Sequence, residues 1–184
     1  MNYATIKPVD IANGPGVRVS LFVSGCTHHC KGCFNAQAWD FHYGEPFTEE
    51  IWEQIFSYLD HDYMEGITLL GGEPMEPENQ EGLLPFVKEL KKRFPDKSIW
   101  CFSGYDFEKD VLGRMMKESR ITRELVPLFD VMVDGKFEEE KKNLSLKFRG
   151  SENQRILDVK RSLNEGKAVW AEQYREKNKS LDGM

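Results

Sequence analysis

Residues 17–34 read VRVSLFVSGCTHHCKGCF, and this stretch begins the fold and its first functional loop. Apolar side chains occupy every second position from 17 to 23, a pattern typical of a β-strand. Cys26, Cys30 and Cys33 follow with C-x3-C-x2-C spacing. Three such thiolates can hold an iron–sulfur cluster, but a cubane cluster normally takes four ligands. By the logic that separates open from closed metal sites, the spacing predicts a cluster with one iron open to a substrate or cofactor.

Strand-like and helix-like segments alternate along the rest of the chain. The predicted strands are Val17–Val23, Ile67–Leu70, Ile99–Phe102, Phe129–Val133 and a candidate fifth strand, Leu144–Phe148. The predicted helices are Glu49–Leu59, Leu83–Arg93 and Val111–Glu118, and Lys167–Trp170 is a candidate short strand. This order is typical of α/β folds with a mostly parallel sheet.

The length of the chain limits how many β/α units it can hold. A complete eight-unit barrel needs about 250 residues, and one unit needs roughly 30, whereas this chain has 184. We therefore predict a partial, open (β/α) barrel of about five to six units. It forms a single domain over residues 1–172, followed by a polar tail over residues 173–184.

The segments that follow the predicted strands contain the residues that could bind a ligand or take part in a reaction. Gly71–Pro74, Ser103–Tyr105, Asp134–Gly135 and Arg149–Ser151 follow the later strands, as the cysteines follow the first. Because the carboxyl ends of parallel strands share one rim, where such folds keep their active sites, these loops should converge on one site.

Several residues of these loops have roles that elementary chemistry suggests. Gly25 and Gly32 permit the unusual backbone angles that wrapping three thiolates around one cluster requires. Gly71 and Gly72 allow a ligand to approach the backbone closely. Glu73 adds a carboxylate that could pair with an ammonium group.

Composition excludes some classes of function. The formal net charge of −6 argues against a nucleic-acid-binding surface, because phosphate contacts need clustered lysine and arginine. No apolar run approaches 18 residues, so no membrane span is expected. Three of the four cysteines lie in one cluster, which favours metal or redox chemistry in a reducing cytoplasm over a disulfide framework.

Taken together, these motifs resemble a known superfamily and one family within it. The cysteine spacing, the aromatic Phe34 and the later Gly-Gly-Glu-Pro resemble the radical S-adenosylmethionine (SAM) superfamily. The wider match, from about Asn2 to Val159, resembles the glycyl-radical activating enzymes known as anaerobic ribonucleoside-triphosphate reductase activating proteins. The segments that carry this resemblance are NGPGVR (13–18), FVSGC (22–26), LGGEP (70–74), VDGK (133–136) and RGSENQ (149–154).

The resemblance implies a set of ligands. Cys26, Cys30 and Cys33 would hold a [4Fe–4S] cluster whose open iron chelates the amino and carboxylate groups of SAM. The cofactor-binding residues that it implies are Gly32, Cys33 and Phe34, together with Gly71, Gly72, Glu73 and Pro74. Ser103 and Asp134 are added by their position on the rim alone.

The same resemblance implies an activity and partners. The reduced cluster would cleave SAM to a 5′-deoxyadenosyl radical, which removes a hydrogen from a glycine of the large reductase subunit. A low-potential electron donor such as flavodoxin would supply the electron. The short chain leaves little room for a substrate domain, so we expect an open face for a protein substrate.

Other interpretations of the same residues remain open at this stage. The chain could activate another glycyl-radical enzyme or act on a small molecule. A non-enzymatic chain could carry electrons if Cys101 joined the cluster, or bind structural zinc with His28 or His29 as a ligand. We expect Cys101 to be a buried apolar side chain, and His28 and His29 to be exposed loop residues.

Overall fold

An open seven-stranded sheet forms the centre of the protein in a computed structural model that describes residues 1–176. The strands are β1 Asn2–Asp10, β2 Val17–Val23, β3 Glu45–Pro46, β4 Met64–Gly71, β5 Ser98–Phe102, β6 Val131–Asp134 and β7 Arg155–Asp158. They lie in the order β3-β1-β2-β4-β5-β6-β7. Strands β2, β4, β5 and β6 are parallel, whereas β1, β3 and β7 pair antiparallel with their neighbours. The predicted α/β class and the parallel centre of the sheet are confirmed.

The number of β/α units is lower than predicted. Within residues 1–176, three crossovers join the four parallel strands, whereas five or six units were expected. The remaining length is used by the antiparallel strands and by the long connection between β6 and β7, residues 135–154.

Helices fill the crossovers and follow β7. They are α1 Glu49–Leu59, α2 Pro77–Arg93, a π-helix Phe107–Met115, α3 Met116–Glu118, α4 Arg120–Leu125 and α5 Val159–Glu165. Short 3₁₀ helices lie at Ala36–Trp39, Val126–Leu128, Glu139–Lys141 and Glu172–Tyr174. The predicted bounds of α1 are confirmed. Helix α2 begins six residues earlier than predicted because Pro77 occupies its first position, where a proline is tolerated.

A buried apolar core lies between the helices and the sheet. Alternate residues of the strands, such as Leu21, Leu69 and Cys101, point into it and are fully buried. Because side chains alternate between the two faces of a strand, the other residues of the same strands face the opposite side. The prediction that Cys101 is a buried side chain is confirmed.

Arg18 lies on that opposite face and ties three strands together. Its guanidinium donates to Thr68 Oγ1 at 2.9 Å, to the Ile67 carbonyl at 2.8 Å and to Ser98 Oγ at 2.9 Å. Burial lowers the pKa of Arg18 to about 10. The hydrogen-bond donors of the Arg18 side chain thus find their acceptors within the sheet.

Two predicted strands are wrong in the structure. Residues 144–148 form turns and bends, and the side chain of Leu144 is 88% exposed, so its apolar character reflects no buried strand. The strand that completes the sheet is β7. In the segment Lys167–Trp170, Trp170 makes an isolated bridge to Leu157 without forming a regular strand.

The start of the predicted polar tail packs against the sheet. The ring of Tyr174 lies 5.0 Å from that of Trp100 and 6.1 Å from that of Phe148. Residues 177–184 of that predicted tail lie outside the described residues. Among residues 1–176, none of the helices combines the length and the apolar character needed to cross a bilayer.

Candidate functional site

A cavity of about 420 Å³ lies at the carboxyl ends of the parallel strands. All three cysteines of the motif line it. The other predicted site residues that line it are Phe34, Gly71, Gly72, Glu73 and Ser103. Gly135 and Gly150 reach it from the last two predicted loops. The predicted convergence of the loops on one site is confirmed, although the Gly150 loop does not follow a strand.

The cysteine loop, residues 24–35, needs glycine at two turns. Gly25 has φ of +100° and Gly32 has φ of +73°, both in the region that favours glycine. A Cβ at Gly25 would lie 2.3 Å from the ring of Phe41. The prediction that these glycines permit unusual backbone angles is confirmed. The backbone N–H of Cys33 donates to the carbonyl of Cys30 at 3.1 Å, which closes the last turn of the loop.

The protonation of the thiols bears on whether they suit a cluster. Burial raises the pKa of Cys26 to about 12 and also raises that of Cys30. The backbone N–H groups of His28 and Phe137 oppose these shifts by hydrogen bonding to the two sulfurs. Such N–H groups stabilise thiolate ligands and are among the features that set the potential of a cluster. Binding of a metal or cluster would therefore release protons from the thiols of Cys26 and Cys30.

The donor set fits an iron–sulfur cluster. Cys26, Cys30 and Cys33 line one cavity, and three thiolates supply three of the four ligands that a cubane cluster normally takes. Within residues 1–176, no three His, Cys, Asp or Glu side chains are gathered as ligands of a single ion would be. A cubane cluster does not require that arrangement, because each cysteine binds a different iron.

Glu73 makes more contacts than the sequence suggested. Its Oε1 accepts hydrogen bonds from His28 Nε2 at 2.7 Å, from Ser103 Oγ at 3.1 Å and from the Gly104 N–H at 2.6 Å. Its Oε2 accepts from the Met75 N–H at 2.9 Å. The carboxylate thus joins the loops that follow β2, β4 and β5.

The GGEP loop, residues 71–76, is also bonded to the cysteine loop through the backbone. The Glu73 N–H donates to the Gly25 carbonyl at 2.7 Å, and the Asn79 amide donates to the Ser24 carbonyl at 2.9 Å. Pro74 is buried and does not line the cavity. Glu76, which the sequence reasoning missed, accepts from both the N–H and the hydroxyl of Thr27.

The connection between β6 and β7 closes one side of the cavity. Phe137 packs against Phe34 with ring centroids 5.4 Å apart, and Lys142 Nζ lies 5.1 Å from the centroid of Phe34. The Phe34 side chain remains 76% exposed. Gly32 does not line the cavity, and a Cβ at this position would lie 3.1 Å from the carboxylate of Glu139 in this connection. Phe137 was not among the predicted site residues, because an aromatic side chain two positions after Gly135 is all that marks it in the sequence.

Comparison with known proteins places this geometry in a family. A family model described as "4Fe-4S single cluster domain" matches residues 12–157. The chain is 45% identical over 158 residues to the "Anaerobic ribonucleoside-triphosphate reductase-activating protein" of Pasteurella multocida (strain Pm70), covering 85% of this chain and 96% of that protein. The proteins of the same name from Haemophilus influenzae and Enterobacteria phage T4 are 44% and 43% identical. These matches cover 85% of this chain and 97% and 93% of those proteins.

The chain belongs to the family of anaerobic ribonucleoside-triphosphate reductase-activating proteins. The resemblance of the motifs to this family is thus confirmed. The match to the family model begins just before the Asn13 loop and ends within β7, so it includes the cysteine loop and the GGEP loop.

Asp134, like Gly32 and Pro74, is a predicted site residue that lies outside the cavity lining in this member of the activating-protein family. Its carboxylate is buried and accepts from the guanidinium of Arg155 at 3.0 and 2.6 Å and from the Phe107 N–H at 2.8 Å. Arg155 also donates to Glu108 at 2.8 Å. Asp134 therefore joins β6, β7 and the π-helix beside the site.

Gly72 offers a test of how tightly the two loops are packed in this family member. A Cβ at position 72 would lie 2.5 Å from the Gly25 carbonyl oxygen and 3.0 Å from that of Ala38. Because neither backbone oxygen can rotate away, Gly72→Ala should force the loops apart and destabilise the protein by about 2 kcal/mol. Thermal unfolding of the metal-free protein should then fall by about 4–8 °C.

Gly166→Ala is the control for this prediction. Gly166 has φ of +68° at the end of α5, with no atom within 4 Å of the Cβ position. It should lose about 1 kcal/mol from backbone strain alone. If Gly72→Ala unfolded at or above the temperature of Gly166→Ala, the loops would not be in the contact described.

Proposed function

We propose that this protein activates anaerobic ribonucleoside-triphosphate reductase by radical SAM chemistry. The observation that carries the proposal is that three cysteines line one cavity, with the GGEP loop hydrogen-bonded to the cysteine loop. The names of the relatives, which are activating proteins for that reductase, support the choice of partner.

Cys26, Cys30 and Cys33 would hold a [4Fe–4S] cluster, and SAM would occupy the open iron. When bound, these groups supply one-electron cleavage of the sulfonium to methionine and a 5′-deoxyadenosyl radical, which takes a hydrogen atom from a glycine of the reductase. A low-potential donor such as flavodoxin would provide the electron, since this chemistry needs the low end of the potentials that clusters span.

The chain's own residues orient these groups and limit side reactions. Gly71 and Gly72 present backbone close to the cavity, where the methionyl part of SAM would lie. Phe34 offers an exposed ring at the mouth. Ser103 lines the cavity and donates a hydrogen bond to Glu73. Asp134 would act indirectly, by holding Arg155 in place. Gly32 and Pro74 support the backbone of the two loops.

The open sheet supports the proposed fold and an accessible face for a protein substrate. We assign the fold to the radical SAM core, a partial (β/α) barrel, in which the uncovered side of the cavity admits a glycine segment of a large partner. The domain would span residues 1–172 and act in the cytoplasm, without nucleic acid or membrane as a partner.

Anaerobic reconstitution tests the proposal directly. The protein is loaded with iron and sulfide and mixed with SAM, a strong reductant and the candidate reductase. We expect 5′-deoxyadenosine together with a glycyl doublet in the electron paramagnetic resonance (EPR) spectrum of the reductase. Cleavage of SAM without the doublet would reject this partner and favour another radical SAM substrate. Purification with zinc and no cleavage would reject the enzymatic interpretation.

A further inference from the structure

His28 lies inside the site, where the sequence had suggested an exposed loop residue. Its side chain is 6% exposed, and its Nε2 lies 2.7 Å from Oε1 of Glu73, whose side chain is 1% exposed. The imidazole also packs edge-on against the ring of Tyr105, with centroids 4.4 Å apart. A Cβ at Gly104 would lie 2.7 Å from the imidazole. The histidine is therefore held by contacts on several sides. The expectation of an exposed His28 is wrong, whereas His29 is exposed as expected.

The contact between His28 and Glu73 restrains the cysteine loop because of where His28 lies in the chain. The residue lies midway between Cys26 and Cys30, so its side chain fixes the part of the loop that carries two thiols. The preceding residue, Thr27, is held in the same way. Its N–H and hydroxyl donate to Glu76 Oε1 at 2.9 and 2.7 Å. Two consecutive residues of the cysteine loop are thus bonded to two carboxylates of the GGEP loop, and bonds to ionised acceptors are among the stronger hydrogen bonds.

Glu73 is engaged within the protein at both carboxylate oxygens. An ionised carboxylate offers about four acceptor positions, two on each oxygen. The carboxylate accepts four hydrogen bonds at 2.6 to 3.1 Å, three at Oε1 and one at Oε2. The bonds that it makes connect the cysteine loop to the loops after β4 and β5.

We propose that the hydrogen bond between His28 and Glu73 sets the spacing between the cysteine loop and the GGEP loop, which makes His28 a positioning residue for cofactor binding. This inference rests on the proposed function, in which SAM contacts both loops at once. A ligand that must meet two loops binds tightly only when their separation is right, and misplacement of groups by about 1 Å in a catalytic site can cost on the order of a hundredfold in rate.

Two amide substitutions at position 28 separate this hydrogen bond from general packing. The side-chain nitrogen of glutamine reaches about as far from the backbone as Nε2 of histidine, whereas that of asparagine falls short. His28→Asn should therefore break the bond to Glu73, and His28→Gln should preserve it. His29→Asn is the matched control, because His29 is exposed, stacks on Trp39 and has φ of 49°, which asparagine tolerates.

The first measurement uses metal-free protein and needs no cofactor. Amide hydrogen exchange of residues 27–33 should accelerate about tenfold in His28→Asn, because one buried bond to a charged acceptor no longer restrains the loop. In His28→Gln and His29→Asn it should stay within about threefold of wild type. Wild-type exchange in His28→Asn, or equal acceleration in His28→Asn and His28→Gln, would overturn the proposal.

The second measurement uses anaerobically reconstituted protein and titrates SAM against the EPR spectrum of the reduced cluster. His28→Asn should keep the iron and sulfide content of wild type and bind SAM about tenfold more weakly, with His28→Gln restoring the affinity. Unchanged affinity in His28→Asn would overturn the positioning role. If wild-type protein itself showed no response to SAM, the proposed function would fail, while the exchange data would still decide whether the bond restrains the cysteine loop.

Discussion

Cys30→Ala is expected to yield a protein with no intact cluster and no activating activity. Three cysteines line the cavity, so a cluster held by three thiolates has no further cysteine there to replace the ligand that is lost. Iron and sulfide content after anaerobic reconstitution, the EPR spectrum of the reduced protein and the yield of 5′-deoxyadenosine measure the loss.

Cys101→Ala is the matched control for this experiment. Cys101 is fully buried in the core on the helix side of the sheet, and burial raises the pKa of its thiol well above the ordinary value. The substitution should keep the cluster and the activity and reduce stability by about 1 kcal/mol. Loss of the cluster in Cys101→Ala would show that the fourth ligand comes from the chain, and the argument for an open iron would fail.

The parts of the fold that sequence predicts best are those in which local pattern and tertiary burial agree. Strand β2 has apolar residues at alternate positions, three of which pack fully buried against the helices, and its predicted bounds match the structure. Helix α1 likewise has one apolar stripe, and a threonine precedes its first turn. In both cases a short window of sequence contains the information that the fold uses.

Local sequence pattern did not predict the strands correctly where the burial of a segment depends on residues distant in the chain. Strand β1 reads NYATIKPVD, which is polar and contains a proline. It could not be recognised from local pattern because it pairs with β2 and β3 without contributing a fully apolar face. The segment at 144–148 has an alternating pattern but finds no partner strand in the described structure, so Leu144 faces solvent. Strand β7, with four residues, is too short for its alternation to be distinctive.

The site shows the same division between local and distant information. The cysteine spacing and the GGEP segment are contiguous, so they could be recognised directly. The bond from His28 to Glu73 joins residues 45 positions apart, and that from Arg155 to Asp134 joins residues 21 apart. A charged or titratable residue in sequence does not reveal whether it will meet a ligand or another side chain. The sign of a role for Glu76 that the sequence offered was its place near Glu73 in the segment GGEPMEP (71–77).

Arg155→Ala is expected to cause a large loss of stability although it spares the cysteine loop. Asp134 is buried, and Arg155 supplies two of its three hydrogen bonds, at 3.0 and 2.6 Å. Hydrogen bonds from Arg155 to Asp134 raise the pKa of that guanidinium further above its ordinary value. Removing the arginine leaves an uncompensated buried carboxylate, which typically costs about 3–5 kcal/mol. Thermal unfolding of the metal-free protein should fall by roughly 6–20 °C.

Two further variants show whether the buried charge is the cause. Arg120→Ala removes an arginine of 84% exposure from a 2.8 Å pair with Glu124. Exposed pairs contribute about 0–1 kcal/mol, so its unfolding temperature should change little. Adding Asp134→Asn to Arg155→Ala removes the orphaned charge and should recover part of the lost stability, because contacting residues are not additive. If Arg155→Ala behaved like Arg120→Ala, the pair would contribute only as a surface contact does. If the double variant were less stable than Arg155→Ala, lost packing at β7 would explain the effect better than charge.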